Sequence, residues 1–125
     1  LQDKLVMKDY LSAKLYYDLG TYVGNSSQTA DGRINGNNFL ACITTAQNAL
    51  KDYPYTSMRE EISILLLRAK HKLGSESVLE KKEERMRETI DEYYAFKNEF
   101  PESKYMKEVE AIYKDASKYV KELNE

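Results

Sequence analysis

The stretch NALKDYPYTSMREE, residues 48–61, reads as the end of one helix, a proline and the start of another, and AFKNEFPESKYMKE, residues 95–108, repeats the same grammar. Each puts an aromatic residue before proline, then one spacer, a hydroxyl residue, and acidic and apolar residues. Proline lacks the N–H that a helix interior needs and its ring clashes with the preceding turn, so Pro54 and Pro101 each close a helix. A Ser or Thr oxygen can then accept a backbone N–H at the start of the next one. Thr56 or Ser57 is the expected cap after Pro54, with Ser57 and Glu60 at capping-box spacing. Ser103 is the expected cap after Pro101.

Superposing the prolines, which lie 101 − 54 = 47 residues apart, brings Phe39 onto Met86, Ile43 onto Ile90, Ala46 onto Tyr93 and Ala49 onto Phe96. A helix of one kind therefore precedes each proline, and the chain holds two copies of a helix-turn-helix unit. Working outward, residues 5–23 place Leu11, Leu15, Tyr16, Leu19 and Val23 at helical spacing, which predicts a first helix buried on that stripe. Residues 24–38 hold three of the five glycines with Asn, Ser and Asp, and read as a loop longer than most connections. A second helix, 39–51, carries Phe39, Cys42, Ile43, Ala46, Ala49 and Leu50 and should pair antiparallel with the first. The third carries Ile62, Leu65, Leu66, Ala69 and Leu73, with Gly74 ending or bending it. The fourth runs from Val78 or Lys82 to Glu99 with Met86, Ile90, Tyr93, Tyr94 and Phe96, and the fifth buries Val109, Ile112, Tyr113, Ala116 and Val120. No segment alternates convincingly with period two. The expected fold is all-α, about five helices in tetratricopeptide-like helix-turn-helix repeats stacked as a short solenoid. Residues 1–55 form the first repeat with its 24–38 loop, 56–102 the second, and 103–125 a C-terminal helix.

A chain of 125 residues with 32% charged residues and a net charge of −2 offers no basic field for nucleic acid. No apolar run approaches the ~20 residues of a membrane span. The chain opens at Leu1 in charged, helix-like sequence, and is expected to be a processed or truncated piece whose targeting signal, if one existed, has been cut away. Cys42 has no second cysteine to bridge, so cysteine usage identifies no redox compartment.

Converging polar chemistry is sparse. His71, between Lys70 and Lys72, is expected at the surface and not as a catalytic base. Cys42 takes the place of a small core residue and reads as buried and structural. The acidic run Glu80, Glu83, Glu84, Glu88 and Asp91 is interleaved with Lys81, Lys82, Arg85 and Arg87, which makes it a solvated, salt-bridged helix face in preference to a metal cluster. No phosphate-cradling loop, zinc spacing or nucleophile elbow is present. No catalytic residue, cofactor or metal is predicted. Eleven tyrosines without a tryptophan point to packing for most and recognition for some, since tyrosine joins large contact area to a polar tip. Tyr17, Tyr22 and Tyr94 neighbour stripe residues instead of continuing them, and with Arg85 and Arg87 are the candidate partner-binding residues.

Tyr16, Leu19, Gly20, Phe39, Ala49 and Pro54 fall in the order of the tetratricopeptide pattern, although 47 exceeds its ~34-residue period and calls for an insertion or longer helices. The segments LSAKLYYDLGTYV (11–23), ALKDYPYTSMREEI (49–62) and KKEERMRETIDEYYAFKNEFPESKYMKEVEAIY (81–113) resemble the C-terminal repeats of the BamD family, tetratricopeptide lipoproteins of the outer-membrane β-barrel assembly machinery. The resemblance implies a non-enzymatic scaffold on the periplasmic face of the outer membrane. Its partners would be the BamA-like barrel-forming subunit, other assembly lipoproteins and segments of unfolded outer-membrane proteins. It also implies a lipidated N-terminal cysteine. Cys42, inside a predicted helix, does not match that anchor, and the front of the family's repeat array is expected to be missing, leaving a soluble piece. The alternatives are another tetratricopeptide adaptor of envelope or cytosol, or a small helical-bundle enzyme built on Glu84 or Glu88.

Overall fold

A computed structural model describes residues 2–22, 27–28, 34–35 and 38–120. Five helices dominate: α1 (Gln2–Tyr22), α2 (Asn38–Asp52), α3 (Arg59–Ser75), α4 (Leu79–Glu99) and α5 (Met106–Ser117). The fold is all-α. Within the predicted 24–38 loop, β1 (Ser27–Gln28) and β2 (Ile34–Asn35) pair antiparallel, Ser27 opposite Asn35 and Gln28 opposite Ile34. This two-rung ladder was not visible as alternation, because two residues carry no period. The rest of that loop, the predicted stripe residue Val23 and residues 121–125 lie outside the described residues.

The two proline turns are copies at the level of single hydrogen bonds. After α2 the N–H of Tyr53 donates to Ala49 O at 2.9 Å, Thr56 to Tyr53 O at 3.2 Å, Arg59 to Thr56 O at 3.2 Å and Ile62 to Met58 O at 2.9 Å. After α4, Phe100 donates to Phe96 O at 2.7 Å, Ser103 to Phe100 O at 3.1 Å, Met106 to Ser103 O at 3.1 Å and Val109 to Tyr105 O at 2.9 Å. Every partner is displaced by the same 47 residues. The hydroxyls follow suit: Thr56 Oγ1 accepts from Met58 N at 3.1 Å, and Ser103 Oγ from Tyr105 N at 3.0 Å. These are hydroxyl turns that satisfy donors just ahead of each helix. Thr56 supplies the oxygen, and Ser57, the other expected cap, is exposed.

Burial repeats with the turns. Phe39, Cys42, Ile43, Ala46 and Ala49 are buried on α2, and Met86, Thr89, Ile90, Tyr93 and Phe96 on α4. Ile62, Leu65, Ala69 and Leu73 are matched by Val109, Ile112, Ala116 and Val120. Thr89 can replace a cysteine in this register because its hydroxyl donates to Arg85 O, four residues back, at 3.0 Å. On α3 the whole run Ile62–Leu67 is buried, so this helix is apolar all round there and not amphipathic. The long spacing needs no insertion in the second unit. The 17 residues of α3 and 21 of α4, with short turns, fill it.

The chain divides into two compact units, residues 1–69 and 70–125, the division falling inside α3. In the first, α2 packs along α1, but not on the expected stripe. Val6, Ala13 and Gly20 are buried, whereas Leu11, Leu15 and Tyr16 are exposed and Leu19 half-buried. The reason is room. A Cβ on Gly20 would lie 2.8 Å from Phe39 Cε1, and Tyr17 tilts against the same ring at 5.7 Å between centroids. Small residues at seven-residue spacing let α2 approach, and the leucines are turned out.

In the second unit α4 packs against α5, with Met86, Ile90, Ala116 and Val120 forming a core flanked by Tyr113. Gly74 neither ends nor breaks α3. Its position is a close approach, a Cβ there lying 3.0 Å from Met86 Sδ. Residues 70–75 of α3 are fastened on both sides: Lys70 Nζ reaches Glu92 Oε1 at 2.9 Å on α4, and His71 Nε2 shares a 2.6 Å hydrogen bond with Asp115 Oδ2 on α5. His71 is thus a half-buried tie between helices, not the surface residue its lysine neighbours suggested.

Candidate partner-binding surface

On α4, Leu79, Glu83, Arg87 and Tyr94 recur at intervals of four, four and seven residues, which keeps them on one edge of the helix. That edge borders α5. At one end Tyr93 and Tyr113 stack at 4.4 Å and 24°, and Tyr94 meets both rings edge-on at 4.9 and 5.8 Å. The phenol of Tyr93 donates to both oxygens of Glu110 at 3.0 Å, while Lys97 Nζ donates to the Tyr93 oxygen at 3.3 Å and lies 3.2 Å from Glu110 Oε1. Tyr94 reaches the hydroxyl of Tyr113 at 3.4 Å. A buried ring with a polar tip at the rim thus turns the seam from core into surface.

The electrostatics follow from these contacts. Burial, with Glu110 adding to it against Lys97, pushes the Tyr93 phenol above its ordinary value. The hydrogen bond to Tyr113, and then burial, raise Tyr94. Lys97 is raised by its hydrogen bond to Tyr93 and then by Glu110. All three changes favour neutral phenols beside a charged ammonium.

At the other end, Leu79, Lys82, Glu83 and Tyr119 line an open pocket of about 330 Å³. The ammonium of Lys82 sits 5.0 Å from the centre of the Tyr119 ring, within cation–π range. Leu79 and Tyr119 are both exposed. The edge offers apolar surface at each end with opposite charges between, an arrangement suited to a protein partner.

The sequence-predicted site residues do not form one patch. Arg87 lies on the seam edge, its Nη2 3.1 Å from Glu83 Oε1, and Tyr94 is exposed beside it. Arg85 lies on another face, where Nη1 donates to Ser77 Oγ at 2.6 Å and that hydroxyl donates to Leu73 O at 2.5 Å. Arg85 thus clamps the turn between α3 and α4. Tyr17 and Tyr22 belong to the first unit, the former packed on Phe39 and the latter exposed at the end of α1. Leu79, Tyr119 and Lys97 were missed. The signal for Leu79 was a lone leucine opening a charged run, and for Tyr119 a bulky ring beside the stripe residue Val120.

Other chemistry stays sparse. Among the described residues no group of three or more His, Cys, Asp or Glu side chains could hold a metal ion, and no helix is long and apolar enough to cross a membrane. Cys42 is fully buried, and its thiol is pushed up to about 12 by burial and, secondarily, by Asp18. Against its ordinary 9.0, that leaves about a thousandfold less thiolate at neutral pH. A disulfide reagent at pH 8 is expected to label native protein at least about a thousandfold more slowly than denatured protein. Equal rates would place Cys42 at the surface.

Comparison with known families finds no family model that matches the chain, and comparison with curated proteins finds no match.

Proposed function

We propose that this chain is a non-enzymatic helical-repeat scaffold of the BamD type, acting in outer-membrane β-barrel assembly by docking the barrel-forming subunit. The observation that carries the reading is the proline turn, duplicated bond for bond 47 residues apart. Helix pairs joined by such turns expose elongated faces to partners. The bordering segments, with KKEERMRETIDEYYAFKNEFPESKY at 81–105, carry the family resemblance. In this reading the α4–α5 seam edge meets the partner, with Arg87 gripping a carboxylate and Tyr94 and Leu79 supplying apolar contact.

The test is affinity for the isolated periplasmic domains of a BamA-type subunit at two salt concentrations. Arg87→Glu and Tyr94→Ala should each weaken binding by ~2 kcal/mol, with the Arg87 effect shrinking at high salt. Arg85→Glu should act instead through stability, by releasing Ser77. Unchanged affinity for both seam variants removes this surface from the reading, and no binding by the parent chain moves it to another tetratricopeptide adaptor.

A further inference from the structure

The turned-out residues of α1 form a continuous stripe, Met7 (43% exposed), Leu11 (54%), Leu15 (58%) and Tyr22 (83%). Register shows what such a stripe is for. Leu19-Gly20 in α1 and Leu73-Gly74 in α3 place a glycine against the first bulky residue of the next helix, Phe39 in one case and Met86 in the other. Those two residues are repeat equivalents, so α1 and α3 share a register with an offset of 74 − 20 = 54. The seven residues beyond 47 are the longer loop of the first unit.

In that register Leu11 corresponds to Leu65 and, 47 further on, to Ile112, while Leu15 corresponds to Ala69 and Ala116. Leu65, Ala69, Ile112 and Ala116 are 4%, 0%, 6% and 0% exposed. On α5 the covering element is known: Ala116 and Val120 pack with Met86 and Ile90 of α4, the helix before it. The same positions of α1 have nothing over them. Lys4 and Lys8 flank the stripe, and α4 carries Glu80, Glu83, Glu84 and Glu88 beside its own apolar residues.

We infer that the Met7–Leu11–Leu15 stripe is the seat of a further amphipathic helix with the apolar spacing of Met86 and Ile90 and acidic flanks, docked as α4 docks on α5. The inference rests on register, exposure and charge, and stands whether or not the chain serves barrel assembly. An apolar stripe of this size in water is the kind that marks an interface.

Two measurements on the full chain test it. A fluorescent peptide of residues 79–100 should bind saturably, and Leu11→Lys or Leu15→Lys should weaken it at least tenfold while leaving the chain's own melting unchanged. Because a free peptide is only marginally helical, a copy of residues 56–105 is also joined directly to Leu5, the register equivalent of Met106. That fusion should melt about 4 °C or more above the parent, with the gain erased by Leu15→Lys. An unchanged midpoint in the fusion overturns the inference. So does self-association of the parent that Leu15→Lys abolishes, since the occupant is then a second copy.

Discussion

Ala49→Glu should cost about 3–5 kcal/mol and abolish cooperative folding of the first unit, because it places an unpaired carboxylate where the native side chain is 1% exposed. Ala49 sits in the last turn of α2, and its carbonyl accepts the N–H of Tyr53 that opens the proline turn. The substitution strikes the helix face and its closure together. Asn48→Glu, one residue away and exposed, should change stability by no more than about 0.5 kcal/mol. Urea titrations followed by circular dichroism decide the matter. Equal midpoints for the two variants would show that the 47-residue register is wrong at α2.

The second large effect concerns the contact between α1 and α2. Phe39 is fully buried, and Phe39→Ala should cost about 3–5 kcal/mol through lost transfer energy and the cavity left behind. Gly20→Ala should also destabilise, by about 1–3 kcal/mol, although alanine is the better helix former by ~1 kcal/mol. Its methyl would lie 2.8 Å from the Phe39 ring, and the clash outweighs the propensity. In the double variant the methyl moves into space the ring has vacated. The combined loss should therefore fall short of the sum by about 1 kcal/mol or more. Strict additivity would mean that the glycine and the ring do not touch.

The proline turns were legible in the sequence because their determinants are local: a missing N–H, a hydroxyl within reach of a backbone donor, an aromatic at fixed distance. The buried residues of α2 and α4 were legible for a related reason, since one apolar stripe on an amphipathic helix admits one reading. On α1 two stripes compete. Leu11 and Leu15 are larger and more apolar than Ala13 and Gly20, and only the position of the Phe39 ring decides for the smaller pair. Periodicity reports that a face is apolar, but not whether something covers it.

The candidate surface shows the same division. Tyr94 was found because it breaks the stripe, and Arg87 because arginines stand out among lysines. Arg85 could not be separated from Arg87 by composition. Two residues apart on a helix is a rotation of about 200°, which sends one guanidinium to the seam edge and the other to Ser77. His71 was misplaced because its partner, Asp115, lies 44 residues away on α5, beyond anything its lysine neighbours disclose.

The duplicated turn also bears on how the chain begins to fold. Every backbone bond in either copy spans three or four residues, so it closes almost without loop entropy and forms on the microsecond scale of helix initiation. Two equivalent nuclei therefore exist, one in each half of the polypeptide, each fixing where a helix stops and the next starts before any distant side chains have met. Collapse is then a search among stiff segments whose lengths are already set, and the shift of one residue along a helix pair, a common trap for repetitive chains, is excluded at the outset.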